Sequence, residues 1–208
     1  TIKRNIPQSK KNIVEEDFPR YGNMPFDEAW DWFKRNYPAI AEHLKPFKEK
    51  AEVRTDKGDF WWELRACDYY DQFVKPKILY QKFQVKPCFI YENTGKLCND
   101  SMWMIPKNDV ALVGLLNSKM GWYLISKYCT AIQNGYQLIW KYFGQIPIPV
   151  DFQDNNSEIK SKTLKIIDLK KQDPTADTTA LEAEIDRMVY ELYGLTEEEI
   201  ALVEGSVH

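Results

Sequence analysis

The sequence lacks the short motifs that mark several large enzyme classes. Its nine glycines are scattered, so there is no GxG-type loop for a dinucleotide or S-adenosylmethionine and no GxxxxGK[ST] loop for a nucleoside triphosphate. No serine lies in a GxSxG turn. The two histidines, His43 and His208, cannot form a histidine cluster. These absences argue against a Rossmann nucleotide site, a P-loop and an α/β-hydrolase triad.

Closely spaced cysteines and long apolar runs are missing as well. Cys67, Cys88, Cys98 and Cys129 are too far apart for a CxxC metal knuckle, and each lies in an apolar or aromatic context. Reduced thiols of a cytoplasmic protein are therefore expected. No apolar run approaches the roughly 20 residues that cross a bilayer, and residues 1–11 contain no apolar signal region. Because the chain begins without methionine, we expect a piece of a longer cytoplasmic protein with no membrane segment.

Charge is present in abundance, but it is unevenly distributed. Residues 1–150 hold 22 lysines and arginines against 17 acids, whereas residues 151–208 hold 6 against 14. This asymmetry indicates a mildly basic globular part followed by an acidic segment. The sequence predicts an N-terminal arm and short helix at 1–36, a main domain at 37–150 and an acidic helical spacer or docking segment at 151–208.

Hydrophobic patterning predicts an α+β fold. Three short apolar runs flanked by proline, glycine or asparagine, namely KILY, CFIY and SMWMIP, indicate strands of a mixed or antiparallel sheet. Residues 109–130 have helical periodicity, with Asp109 as N-cap and a break at Asn117-Ser118. Near the end of the chain, Thr196 begins a capping box. We therefore expect a short-stranded sheet flanked by helices and followed by C-terminal helices.

One acidic pattern is typical of a nuclease. Asp151 and Asp154 precede Glu158 and Lys160, and metal-dependent nucleases use such carboxylates to hold Mg²⁺ and a lysine to position water. Those groups normally project from a strand, however, whereas here an asparagine-rich loop enters a helix. An ExK triplet also arises easily in a chain with 28% charged residues. A solvated loop is the favoured interpretation.

Four ordered blocks carry a family resemblance. They are YPAIAEHLKPFKEK, DKGDFWWELRACDYYDQFVKPKILY, LVGLLNSKMGWYLISKYCTAIQNGY and FGQIPIPV. In this order they resemble the TaqI-like C-terminal specificity domain, the target recognition domain of combined restriction–modification enzymes and adenine-specific DNA methyltransferases. The resemblance covers roughly residues 37–150. The LLNSKMGW and QIPIP segments are also similar to the specificity subunits of type I systems.

The resemblance implies a module that reads double-stranded DNA and is fused in its parent to a methyltransferase domain, with or without a nuclease. The family's catalytic NPPY motif is absent from this sequence. We therefore expect this piece to recognise DNA without catalysing a reaction and to hold no cofactor or metal. S-adenosylmethionine, and Mg²⁺ where a nuclease is present, are expected in the parent chain.

Candidate DNA contacts are polar or basic residues in the matched blocks and the loops between them. Asparagine and glutamine can pair with adenine edges, whereas lysine mainly contacts phosphate. We expect Lys77 and Lys141 to hold phosphate and the loops at 81–86 and 133–137 to discriminate sequence. Arg65 is a further candidate, with a structural pair to Glu63 or Asp68 as its alternative. The full candidate set is Arg65, Lys77, Gln81, Lys82, Gln84, Lys86, Gln133, Asn134, Tyr136, Gln137 and Lys141.

Other functions remain open on the sequence alone. The acidic C-terminal helices favour a protein-interaction or scaffolding module, and the QIPIP segment favours a domain like those of type I specificity subunits. Trp61-Trp62 could form a stacking platform for a sugar or an exposed base, although adjacent tryptophans more often divide between core and rim. Only DNA binding predicts an affinity that falls as salt rises.

Overall fold

The computed structural model describes residues 25–63, 69–99, 101–153 and 156–206. The chain divides into two compact units, Thr1–Gln72 and Phe73–His208. Arg65 and Asp154, both considered above, lie outside the described residues. No helix in the described ranges is long and apolar enough to cross a membrane.

The described part of the first unit is helical and aromatic. Its helices are α1 (Phe26–Asn36), α2 (Pro38–Leu44) and α3 (Lys48–Glu52), with a 3-10 turn at Lys45–Phe47 between the last two. Pro38 starts α2, since its fixed φ and missing N–H suit a first helical position. At Pro46 the chain passes through the 3-10 turn, because proline cannot donate the backbone hydrogen bond that a continuous helix needs.

Aromatic rings fill the space between α1 and the loop that follows α3. Phe60 and Trp62 stack with their ring centroids 4.8 Å apart, and Trp30 lies 4.9 Å from Trp61. The two adjacent tryptophans divide as expected, since Trp61 is buried and Trp62 is half-buried. Their rings meet edge to face. Trp61-Trp62 is therefore part of an aromatic core and its rim.

The second unit alternates short strands with helices. Its strands are β1 (Lys77–Gln81), β2 (Phe83–Gln84), β3 (Phe89–Glu92), β4 (Met102–Ile105), β5 (Thr130–Ile132) and β6 (Gly135–Gln137). Its helices are α4 (Val110–Asn117), α5 (Lys119–Tyr128), α6 (Trp140–Phe143), α7 (Ser157–Gln172), α8 (Thr179–Tyr193) and α9 (Glu197–Gly205), with 3-10 turns at Tyr70–Val74 and Val150–Gln153.

The strands form two antiparallel sheets, and the α+β prediction is confirmed. The first sheet has the order β3-β1-β4 and contains all three strands predicted from the apolar runs. The second has the order β2-β6-β5 and was not predicted, because the sequence indicated loops at 81–86 and 133–137. Only Lys82 separates β1 from β2, so the chain passes directly from one sheet to the other.

Helix caps occur where the sequence predicts them. The carboxylate of Asp109 accepts a hydrogen bond from the backbone N–H of Leu112 at 3.0 Å, which caps α4. Ser118 divides α4 from α5, as expected, and its hydroxyl accepts from the N–H of Gly121. Thr196 and Glu199 form the predicted capping box of α9.

The C-terminal helices complete the core of the second unit. Ile159, Ile185 and Val189 belong to the same buried cluster as Ile78 of the first sheet and Leu115 of α4. The sequence predicts a division at residue 150, but α7, α8 and α9 share one core with the sheet. The reason lies in α4, whose residues 110–116 are all buried and so need helices as well as strands around them.

Candidate nucleic-acid interface

The β2-β6-β5 sheet brings together the two loops predicted to discriminate DNA sequence. Phe83 pairs with Gln137 and Gln84 with Tyr136, although about 50 residues separate the strands. The carbonyl of Lys82 accepts a hydrogen bond from the N–H of Leu138 at 2.7 Å, which continues this pairing. The two segments thus form one small surface.

Strand pairing assigns the side chains of this sheet to two faces. Directly paired residues point to the same side, and neighbours along a strand point to opposite sides. Phe83, Gln137 and Thr130 therefore share one face, which we call the outer face, together with Ile132. Gln84, Tyr136 and Ala131 share the inner face. Of the predicted contacts on the paired strands, only Gln137 is on the outer face.

Two side chains of the inner face, Tyr136 and Gln84, pack against the domain. The ring of Tyr136 meets that of Trp122 in α5 edge to face, with centroids 5.2 Å apart. Gln84 is only 2% exposed: its amide nitrogen donates to the carbonyl of Gln81, and its amide oxygen accepts from the N–H of Cys88. The predicted DNA contact at Gln84 is thus corrected to a structural role, because both ends of its amide hold the 81–88 segment.

Gly135 makes the close approach of β6 to β2 possible. A methyl group on its Cα would collide with the carbonyl oxygen of Gln84 and lie 2.8 Å from the Cα of Val85. No side chain can therefore stand at this position while β2 and β6 remain paired.

Several predicted residues reach solvent in the segments that flank the strands of this sheet. Gln133 and Asn134 form the exposed turn between β5 and β6, and Gln81 and Lys86 are exposed at either end of β2. The half-buried Lys82 places its ammonium 5.4 Å from the ring centroid of Phe83 and 5.7 Å from that of Trp103. Both distances suit cation–π attraction. The exposed Lys141 lies in α6, with its ammonium 5.5 Å from the ring centroid of Tyr142.

Lys77 is not part of this surface. It is 0% exposed, and its ammonium donates to the carbonyl of Phe73 at 2.7 Å and to the carboxylate of Glu92 at 3.3 Å. The predicted phosphate contact at Lys77 is therefore corrected, because a buried ammonium that is already paired cannot reach DNA. The β1–β3 register places Lys77 directly opposite Glu92 and so decides this role.

The Glu92 carboxylate accepts four hydrogen bonds from neighbouring donors. It accepts from the hydroxyl and the backbone N–H of Thr94, from Lys77 and from the N–H of Lys96. The hydroxyl of Thr94 contributes most to lowering the pKa of Glu92, to about 2. The pKa falls despite burial, which alone would raise it. The ion pair and these hydrogen bonds fix the turn that follows β3.

A family model covers both segments of the β2-β6-β5 sheet. The model of the TaqI-like C-terminal specificity domain matches residues 33–148, which is more than half of the chain. The chain belongs to this family. The match agrees with the four blocks recognised in the sequence, and both loops of the TaqI-like specificity domain that were predicted to read DNA lie inside it.

The strands of this sheet come from parts of the TaqI-like specificity domain that contain no acid. Between Tyr80 and Glu92, and again between Asp109 and Asp151, there is no aspartate or glutamate, while five lysines are present: Lys82, Lys86, Lys119, Lys127 and Lys141. The net charge summed over residues 1–150 does not show these acid-free segments, because it also counts the acids elsewhere in that range. A count of acid-free segments would have found them without a structure.

The nuclease-like pattern gains no geometric support. Asp151 lies in a 3-10 turn, and Glu158 is an exposed residue in the first turn of α7. Among the residues that the structure describes, no group of three or more histidine, cysteine, aspartate or glutamate side chains could hold a metal ion. Glu158 and Lys160 therefore remain ordinary helix-surface residues in our interpretation.

Proposed function

We propose that this chain is the DNA target recognition module of a restriction–modification enzyme, an adenine-specific methyltransferase with or without an endonuclease. The β2-β6-β5 sheet is its reading surface. The observation that carries the proposal is that two segments, chosen from sequence as DNA-reading loops, pair with each other inside the family match. Their freedom from acids supports the same conclusion, because carboxylates repel phosphate.

The exposed and half-buried polar side chains of this surface divide between two tasks. Lys82, Lys86 and Lys141 offer positive charge to phosphates, which sets the position of the module on the duplex. Glutamine and asparagine carry a donor and an acceptor at fixed spacing, which matches the edge of adenine in the major groove. In this proposal the base-reading residues are Gln81, Gln133, Asn134 and Gln137.

Three further candidates have structural roles. Tyr136 anchors β6 on α5, Gln84 holds the loop after β2, and Lys77 pairs with Glu92 inside the first sheet. In this proposal the chemistry belongs to the parent's methyltransferase domain, which would bind S-adenosylmethionine, and to its nuclease domain where one exists. The module directs those domains to their site.

A salt titration tests the proposal. Fluorescence anisotropy with a labelled duplex should give an affinity that falls with salt, with a log–log slope of about −0.9 for each phosphate contact. Lys86→Ala should make the slope shallower by about 0.9. Lys165→Ala is the matched control, because it removes the same charge from the exposed surface of α7 and should leave the slope unchanged. A response that is independent of salt would reject DNA binding.

A further inference from the structure

The outer face of the β2-β6-β5 sheet carries an apolar group that the proposed readout does not use. Phe83 is 53% exposed although it lies on a strand. Ile132, on the same face as Phe83, is 37% exposed. Strand aromatics normally bury most of their surface, so a half-exposed ring between polar residues suggests contact with a partner.

The backbone holds Phe83 in a defined place. Its strand pairs with β6 through Gln137, and the preceding carbonyl of Lys82 accepts from Leu138. The missing side chain at Gly135 lets the two strands approach closely. A phenyl ring has only two side-chain torsions, so ordering it on binding costs less entropy than ordering a long flexible side chain.

The surroundings of Phe83 favour nucleic acid over an apolar protein surface. The ring lies between Lys82 and Lys86 in sequence, and the Lys82 ammonium is 5.4 Å from its centroid. On the outer face it has Gln137 opposite and Thr130 one strand further. A flat apolar ring with a lysine ammonium close by suits a base for stacking and a phosphate next to it.

We propose that Phe83 stacks on a base that has left the base stack of the bound duplex. This inference rests on the proposed DNA function and adds to it a specific stacking residue. A base that has left the helix can stack on an aromatic side chain, and this contact offsets part of the cost of unstacking. The cost is smallest where a base is already unpaired.

The test compares two labelled duplexes of the same sequence, one fully paired and one with a single unpaired adenine at its centre. Base–aromatic stacking predicts that the 208-residue chain binds the bulged duplex about tenfold more tightly. Phe83→Ala should remove this preference, and Phe83→Trp should keep it. Val85→Ala is the matched control, because it truncates a neighbouring exposed apolar side chain and should also keep the preference.

Each outcome either supports or overturns the stacking role of Phe83. A preference that survives in Phe83→Ala, or equal binding of both duplexes by the unaltered chain, overturns the stacking role of Phe83 and leaves the DNA function standing. Failure of the unaltered chain to bind either duplex rejects both the DNA function and the stacking role. Thermal melts of the three variants that match the unaltered chain show that the fold is intact.

Discussion

The two sheets of the second unit use similar side chains in opposite ways. In the β3-β1-β4 sheet, Lys77 is fully buried and its ammonium pairs with Glu92 on the neighbouring strand. Next to the β2-β6-β5 sheet, Lys82 lies between β1 and β2 and is half-buried beside the half-exposed ring of Phe83. A lysine near a strand therefore has no fixed role, and its place in the sheet register decides between core and surface.

Truncation after Val150 should have the largest effect on stability, and it acts on the core behind the β3-β1-β4 sheet. It removes the helices that supply Ile159, Ile185, Val189 and Val203 to the core behind the first sheet. Each buried apolar side chain contributes about 1.5–3 kcal/mol, so the loss approaches the whole 5–15 kcal/mol stability typical of a domain. We expect no cooperative thermal transition by circular dichroism. A cooperative melt in the truncated chain would show that the two sheets fold without these helices.

Glu92→Gln should be the most damaging single change within the buried sheet. All four partners of the carboxylate are hydrogen-bond donors, so the amide nitrogen of glutamine would face a donor and the ammonium of Lys77 would lose its counter-charge. Removing one partner of a buried ion pair costs about 3–5 kcal/mol. Urea unfolding at pH 7 measures the loss. Lys77→Met is the comparison variant and should cost less, because the carboxylate keeps three donors.

The same pair makes stability depend on pH in a defined window. The folded pKa of Glu92, about 2, lies below its ordinary value of 4.5, so the unfolded chain binds a proton more readily. The contribution of Glu92 is complete above pH 4.5 and is lost as the pH falls towards 2. The difference in free energy of unfolding between the unaltered chain and Glu92→Gln should therefore narrow between pH 4.5 and 2. A constant difference across that range would contradict the assignment.

Gly135→Ala should distort the β2-β6-β5 sheet and leave the β3-β1-β4 sheet unchanged. Its methyl group would collide with the carbonyl of Gln84, so β6 must move away from β2. Overpacking of this kind costs about 1–3 kcal/mol. We expect weaker DNA binding together with a cooperative melt at a lower temperature. Gly205→Ala is the control, because a methyl group there meets no atom within 4 Å. Unchanged DNA affinity in Gly135→Ala would separate the sheet from DNA recognition.

The sequence predicted the strands of the β3-β1-β4 sheet but not those of the β2-β6-β5 sheet. Apolar runs beside proline, glycine or asparagine predicted β1, β3 and β4, because those strands are mostly buried and their composition reflects it. The strands β2, β5 and β6 are only two or three residues long. β5 and β6 pair as a short hairpin, whereas β2 pairs with β6 from about 50 residues away. Strands this short leave little apolar pattern, and local patterning contains no information about the β2–β6 pairing, so the sequence indicated two separate loops.

The same limit explains which site residues were misjudged. Gln81 and Gln84 lie three residues apart in one polar segment. Gln81 is exposed, whereas Gln84 is buried on the inner face of β2. Lys77 was predicted at the surface because its partner Glu92 lies 15 residues away and becomes a neighbour only through the β1–β3 register. Residue type selected two segments that the fold pairs in one sheet, and only the register could assign the individual side chains.

Gln133→Ala and Asn134→Ala should change the stability least. They should instead change the DNA sequence that is recognised. Both side chains are exposed in the β5–β6 turn, so truncation should alter the free energy of unfolding by less than about 0.5 kcal/mol. If they read adenine edges, each pair contributes about 1–3 kcal/mol of discrimination between bases. The recognised sequence of a methyltransferase that carries this module should then relax at one position. Sequencing of methylated sites measures this directly. Lys141→Ala is the contrasting variant, because loss of a phosphate contact weakens binding to all sequences alike. An unchanged recognition sequence at normal activity would remove the turn from the reading surface and leave the outer-face residues Gln137 and Phe83 as the readers to test.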